Sequence, residues 1–396
     1  MKLKYAGIGI LMLTIALGLF VSGCTKQAGE DLAENKTEEG PAANITIRII
    51  QENASHGYWS PSGDLIVFDK LNPDGFYDVN VITPNGTLVR NITENNPGIN
   101  QRHNGWPVWH PSGGYIVFQS EEEDHWGLDK KWMGHPGLGF FSNLYATTAD
   151  GNDFWKLTDI RIKKKALDGI PIQASLNPQF NHDGTKLMWT ERYKGGGYLE
   201  WGFWQIKMAD FVTDDTPRLE NITVVLRAED FCRECNYINA MDFIDDEKIL
   251  LTGNLDGQHV YGMDQYVYDL KTKNLTNIMN TPELWEEGSC YSNGKIVYTT
   301  NTDSEFKLDF NNPDWPKQPR TKEYWMMKED GTNKQRLTFL NKAGSGDFEA
   351  SEGRRTIVAE CSFDNSGSRM LGIVGFDKRD DNVADFEVNL ALFEFE

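Results

Sequence analysis

The stretch WSPSGDLIVF, Trp59 to Phe68, recurs as WHPSGGYIVF, Trp109 to Phe118, and again as FNHDGTKLMW, Phe180 to Trp189. Each copy is an aromatic, a short turn containing Gly, and a run of apolar residues. Weaker copies follow at FIDDEKILLT (Phe243 to Thr252), CYSNGKIVYT (Cys290 to Thr299) and FDNSGSRMLGIV (Phe363 to Val374). Glu247 stands in the glycine place of the fourth copy, and Cys290 in the aromatic place of the fifth. A repeated unit of this size points to a body built from stacked copies of one small element.

Each copy has a second half, a short strand, a polar turn and a closing apolar strand. Examples are YDVNVITPNGTLVRNIT from Tyr77, NLYATTADGNDFWKLT from Asn143 and YWMMKEDGTNKQRLT from Tyr324. Asn-Gly and Asp-Gly are hairpin turns because both residues accept the positive φ that tight turns need. Helical periodicity is nearly absent, so the unit is an antiparallel sheet of about four strands. Such a sheet is apolar on both faces and needs neighbours to cover it. Six sheets packed radially make an all-β, six-bladed propeller, which leaves only short edges.

Ring closure has its own signature. The sixth repeat ends at FEVNLALFEFE (Phe386 to Glu396) without a closing strand. NITIRIIQE (Asn44 to Glu52) precedes the first repeat and matches the strand that is missing. The N-terminal strand is therefore expected to complete the last blade, with the propeller spanning 44–396.

The aromatic–S/H-P-S/D-G–apolar phrase, with its later DG…LT hairpin, resembles the TolB-like propeller family, whose repeat also forms the propeller domains of tricorn and prolyl oligopeptidase-type peptidases. The resemblance covers almost all of 44–396 and implies fold far more than function. Those peptidases carry a separate hydrolase domain with a Gly-x-Ser-x-Gly elbow, which this chain lacks. AGSGD, Ala343 to Asp347, has the wrong spacing. No nucleotide-binding loop or His-Glu-x-x-His pattern is present, so no catalytic motif is found.

The chain begins MKLKYAGIGILMLTIALGLFVSGC. Lys2 and Lys4 precede an apolar run too short for an ordinary membrane span and suited to an export signal. Val21-Ser22-Gly23-Cys24 resembles the lipobox of prokaryotic lipoproteins, which implies a signal peptide over 1–23 and lipid attachment at Cys24. Residues 24–43 are polar, acidic and free of aromatics, the composition of a disordered tether. The expected address is extracytoplasmic, at the cell surface or in the periplasm, with the membrane engaged through the lipid.

The net charge of −20 becomes −22 once the two signal lysines are removed. Such a charge disfavours nucleic acid and favours cationic partners. An extracytoplasmic address permits a local bridge between Cys232 and Cys235. Free buried thiols are the other reading, and zinc would need two more ligands when Cys290 and Cys361 lie far along the chain. N-x-S/T sequons begin at Asn35, Asn44, Asn53, Asn85, Asn91, Asn221 and Asn274, which matter where the host glycosylates its surface proteins.

Two candidate sites follow. In this repeat the third residue before each aromatic starts the innermost strand and faces the axial channel. That position holds His56, Trp106, Asn177, Ala240, Glu287 and Glu360. A His with two Glu suits a divalent cation, and the related oligogalacturonate lyases hold a metal on channel histidines. A channel-centred metal-binding or polysaccharide-active protein is thus one reading, and water-filled polarity is the plainer one. The second site is an insert, EEEDHWGLDKKWMGHPGLGFF (Glu121 to Phe141), together with DFNNPDWPKQPR (Asp309 to Arg320). Face loops commonly carry recognition. His125, Trp126, Trp132, His135 and Trp315 offer stacking surfaces for a protein or glycan partner, or pack back on the blades. The leading expectation is a binding or scaffold propeller, alone or within an envelope complex.

Overall fold

The computed structural model describes residues 44–123, 131–160, 173–195, 202–312, 317–378 and 385–395. The signal segment, Cys24 and the tether lie outside them. Six four-stranded antiparallel sheets form the body, each with its strands in chain order except the last. The innermost strands are Ala54–Trp59, Asn104–Trp109, Ala174–Phe180, Ile238–Phe243, Ser289–Ser292 and Thr356–Phe363, in blades 1 to 6. Blade 6 is closed by Ile45–Glu52, which pairs antiparallel with Phe386–Phe395 from Ile45↔Phe395 to Glu52↔Asn389. The N-terminal strand thus completes the last blade.

Period-two side-chain alternation explains the packing. In blade 1, Ile66 and Phe68 face blade 6, where they join Leu371, Leu390 and Leu392. Val67, between them, faces blade 2 and joins Trp109, Ile116 and Phe118. The same interdigitation fills each remaining gap. Val117 meets Leu187 and Trp189, Met188 meets Ile249, Leu250 meets Ile296, and Val297 meets Val374. Burial of both faces stabilises each sheet by roughly 1.5–3 kcal/mol per large apolar side chain.

The turn after the innermost strand is the same device in four blades. Gly63, Gly113, Gly184 and Gly367 lie at φ +72°, +74°, +77° and +70°. Each donates its N–H to the carbonyl three residues earlier. Blade 4 tolerates Glu247 because its turn is built differently. The Asp245 carboxylate accepts from the N–H groups of Glu247 and Lys248, both at 2.8 Å, and no positive φ is needed. His110 of blade 2 ties its turn to the next blade, with Nε2 3.1 Å from the Gly184 carbonyl oxygen.

Two disulfides are present among the described residues. Cys232 and Cys235 bridge locally, with Cα atoms 5.1 Å apart. Cys290 and Cys361, 71 residues apart, join the innermost strands of blades 5 and 6 across 5.5 Å. Sequence distance hid this pair, because the ring brings together strands that chain order separates. Closing so long a loop removes conformational freedom from the unfolded chain, worth about 4 kcal/mol. The C290S/C361S variant should fold to the same ring but unfold at lower denaturant concentration. C232S/C235S, which opens only a short loop, should lose less. Matched denaturant curves for the two variants check both expectations.

Candidate functional site

The axial channel is set by a repeated β-bulge. In blade 1 the innermost strand pairs Ser55↔Asp69 and then Tyr58↔Val67, so it carries one residue more than its partner. The same extra residue falls between Gly105 and Val108, Leu176 and Gln179, and Val358 and Cys361, and blade 4 has its own between Ala240 and Asp242. A bulge breaks the ladder and redirects a side chain. His56, Trp106 and Asn177 sit in these bulges at φ +22°, +49° and +52°. Such conformations cost on the order of 1–3 kcal/mol for a residue with a side chain.

In blades 1 and 2 the strain is held by one carboxylate. Asp69 is fully buried and accepts from Ser55 Oγ, from the Trp106 N–H at 2.8 Å, and pairs with His56 Nδ1 at 2.8 Å. The His56 ring stacks on the Trp106 indole, centroids 4.0 Å apart. Burial pulls the His56 pKa down, but the charge and hydrogen bond of Asp69, with Glu360 beyond, leave it above its ordinary value. Asn177 is anchored to blade 4 through the Ala240 carbonyl and accepts from Gln179 Nε2 at 2.8 Å.

His56, Trp106, Asn177 and Glu360 line one small cavity of about 30 Å³ on the axis, where Ser289 and Met241 represent blades 5 and 4. Ala240 and Glu287 do not reach it. Glu287 is turned back among Trp285 and Lys322; its Oε2 accepts from the Trp285 indole at 3.2 Å, and Lys322 Nζ donates to its main-chain carbonyl at 3.2 Å. Burial, then the charge of Glu360, holds the Glu287 carboxyl above the usual range; burial holds the Lys322 ammonium below its own. Among the described residues no three His, Cys, Asp or Glu side chains gather as a metal site. His56 instead gives one ring nitrogen to Asp69, and the expected His with two Glu is divided between the axis and the wall.

Above this constriction the channel opens into a mouth of about 350 Å³ to which all six blades contribute. Its rim carries Pro61, Pro111, His182, Asn293 and Asn365 from the repeated turns, with Gln179, Asp242 and Tyr291 deeper. His182 and Asn365 are exposed. Turn composition by itself does not single out these positions. The converging ends of the six turns were the available signal.

The insert between the second and third strands of blade 2 is divided. His125, Trp126 and Trp315 lie outside the described residues, as does the side chain of Trp132, whose backbone is in the 3₁₀ turn Lys131–Gly134. The described remainder packs inward. Met133, Leu138, Phe140 and Phe141 are buried against blades 2 to 4. His135 takes the inward of its two readings: it is only 8% exposed, its ring 4.9 Å from that of His103, and burial pushes its pKa down to about 4. Pro136 holds it there by accepting from Gln119 Nε2 at 2.8 Å.

The Asp69–His56 pair has a pH signature. A histidine raised in the folded state adds stability below its unfolded pKa, and loses it as pH rises through the folded value. Asp69→Asn should drop the His56 imidazole below its ordinary 6.5, read by NMR titration. The stability gap between wild type and Asp69→Asn should be widest below the ordinary 6.5 and narrow as the pH rises through the raised folded-state value of His56.

No family model and no curated protein sequence matches the chain. Solved structures do. A putative TolB from Agrobacterium tumefaciens aligns at 13% identity and TM-score 0.47, over 75% of this chain and 89% of that one. TolB from Acinetobacter baumannii aligns at 13% and 0.49, over 84% and 64%. A puromycin hydrolase aligns at 13% and 0.48, over 88% of this chain but 45% of its own length. Blade count, strand order and the repeated turn together make this chain, in fold, a six-bladed β-propeller closed by its N-terminal strand.

Proposed function

We propose that the chain is an extracytoplasmic binding propeller, held to the membrane by a lipid on Cys24, that captures an extended segment of a protein partner in its channel mouth. The observation that carries this reading is the mouth itself. Six blades converge on one concavity of about 350 Å³ rimmed by exposed polar turn residues and walled by aromatics. Tyr58, Tyr291 and Phe363 supply apolar surface there, and His182, Asn293 and Asn365 supply hydrogen-bonding groups. That mixture suits a peptide better than an apolar small molecule. The constriction at His56 and Trp106 limits how far a segment can enter.

Rigid turns pre-organise the rim. Asn365 Nδ2 donates to the Pro61 carbonyl at 2.8 Å, joining blade 6 to blade 1. Little ordering then remains to oppose binding. The acidic tether, 24–43, would let a ring anchored at Cys24 reach partners near the membrane.

The test is cross-linked capture from the native membrane with tagged protein. His182→Glu/Asn365→Arg should reduce the captured partner about tenfold, the effect of losing one good interface contact. Undiminished capture would remove the mouth from consideration. Loss on Trp126→Ala instead would move recognition to the blade 2 insert. Release by soluble glycan would identify a glycan partner in place of a peptide.

A further inference from the structure

The sequons form a spatial pattern that chance does not explain. Six of their asparagines fall on described residues, Asn44, Asn53, Asn85, Asn91, Asn221 and Asn274, and all six are exposed. Of the 23 other described asparagines, seven are exposed. None of the six lines the axial cavity or the mouth.

Their hydroxyl partners divide them. Thr46, Thr87, Thr223 and Thr276, which complete the sequons of Asn44, Asn85, Asn221 and Asn274, are exposed. Ser55 and Thr93, which complete the other two, are buried, with their hydroxyls bonded to Asp69 and Asp78. The four open sequons sit on the ring's periphery. Asn44 directly precedes Ile45–Glu52, and Asn221 lies within Arg218–Arg227, the outermost strand of blade 3. Asn85 and Asn274 lie in the turns leading to Leu88–Asn91 and Leu275–Asn277, the outermost strands of blades 1 and 4.

A second observation coincides with two of them. The exposed large apolar side chains include Leu88 (61%), Val89 (42%), Ile222 (47%) and Val224 (38%). The first pair follows Asn85 by three and four residues, and the second follows Asn221 by one and three. Both lie on outermost strands, whose unpaired edge groups invite pairing with another chain. Arg218–Arg227, at ten residues, is far longer than the outermost strands of blades 1, 2, 4 and 5, and so the most exposed to that hazard.

We propose that Asn85 and Asn221 carry N-linked glycans that cover the outer edges of blades 1 and 3, with Asn44 and Asn274 as further acceptors. Asn53 and Asn91 stay unmodified once the ring has folded. The sugar donor is a polyprenol oligosaccharide linked through phosphate or pyrophosphate. The amide Nδ2 bonds to C1 of the first sugar as the C1–O bond to phosphate breaks. The polyprenyl phosphate or pyrophosphate leaves with that electron pair, and the amide gives up one proton. The four acceptors lie away from the mouth, so a glycosylated outer periphery leaves the axis open.

This proposal rests on the extracytoplasmic address. Glycopeptide mass spectrometry of the protein purified from its native membrane tests it, with the Cys24 peptide read in the same digest. Glycan mass on the Asn85 and Asn221 peptides is expected, with the Asn53 and Asn91 peptides at their unmodified masses. A lipid mass on Cys24 with bare Asn85 and Asn221 would overturn the glycan proposal and leave the address standing. An unmodified Cys24 with glycan on both asparagines would do the reverse to the lipid anchor. Asn85→Gln/Asn221→Gln, expressed in the same host, should lose both glycan increments and aggregate faster on concentration. Unchanged aggregation would overturn the protective role.

Discussion

The ring depends on the pairing of its first strand with its last. Until Ile45–Glu52 lies against Phe386–Phe395, blade 6 has three strands and an open edge. Ile45, Ile47 and Ile49 then pack on the cluster containing Val374 and Phe393. A propeller with one incomplete blade exposes apolar faces on two sheets, so closure is a requirement of every blade and not only of the last. The Cys290–Cys361 bridge ties the next junction, between blades 5 and 6. The two devices act at opposite edges of blade 6, its outermost strand and its innermost, and share the gap that faces blade 5.

Closure also creates the axis on which the candidate site is built. Six innermost strands cannot stay regular and still turn polar groups inward, because regular alternation sends side chains only to the two inter-blade gaps. The bulges supply a third direction. They place His56, Trp106 and Asn177 on the axis at the cost of positive φ; that cost is met for the first two by burying Asp69 under three donors, and for Asn177 by its bonds to the Ala240 carbonyl and Gln179. Strain therefore concentrates where the channel is narrowest, while the turns of the mouth place glycine at all but one of their positive-φ positions, the exception being Asn293.

Function divides along the same lines. The constriction is a set of bonded groups, with His56 committed to Asp69 and Asn177 to the Ala240 carbonyl, and Glu287 lies outside it. The mouth offers exposed groups from several blades on a rigid frame. The ring's outer periphery carries sequons and apolar edge side chains. Three zones thus carry three kinds of chemistry, and the net charge of −20 is spread over a body whose axis is narrow and mixed in character.

Much of this was legible from residues alone. The repeat, the hairpin turns and the unmatched final blade determined a closed six-bladed ring, because alternation and turn chemistry are local properties. The channel position was likewise readable for His56, Trp106, Asn177 and Glu360, since the aromatic marks a register point in each blade. Glu287 was misjudged because a one-dimensional register carries no information on side-chain direction beside a break in the ladder, where Gly288 lies at φ +87°. For His135 the two readings stayed open because an insert rich in Trp and Gly has the same composition whether it faces solvent or fills a gap. The Cys290–Cys361 bond, the funnel shape of the mouth and the peripheral placing of the sequons belong to the tertiary structure. Each depends on which distant strands the closed ring makes neighbours, and no local pattern encodes that distance.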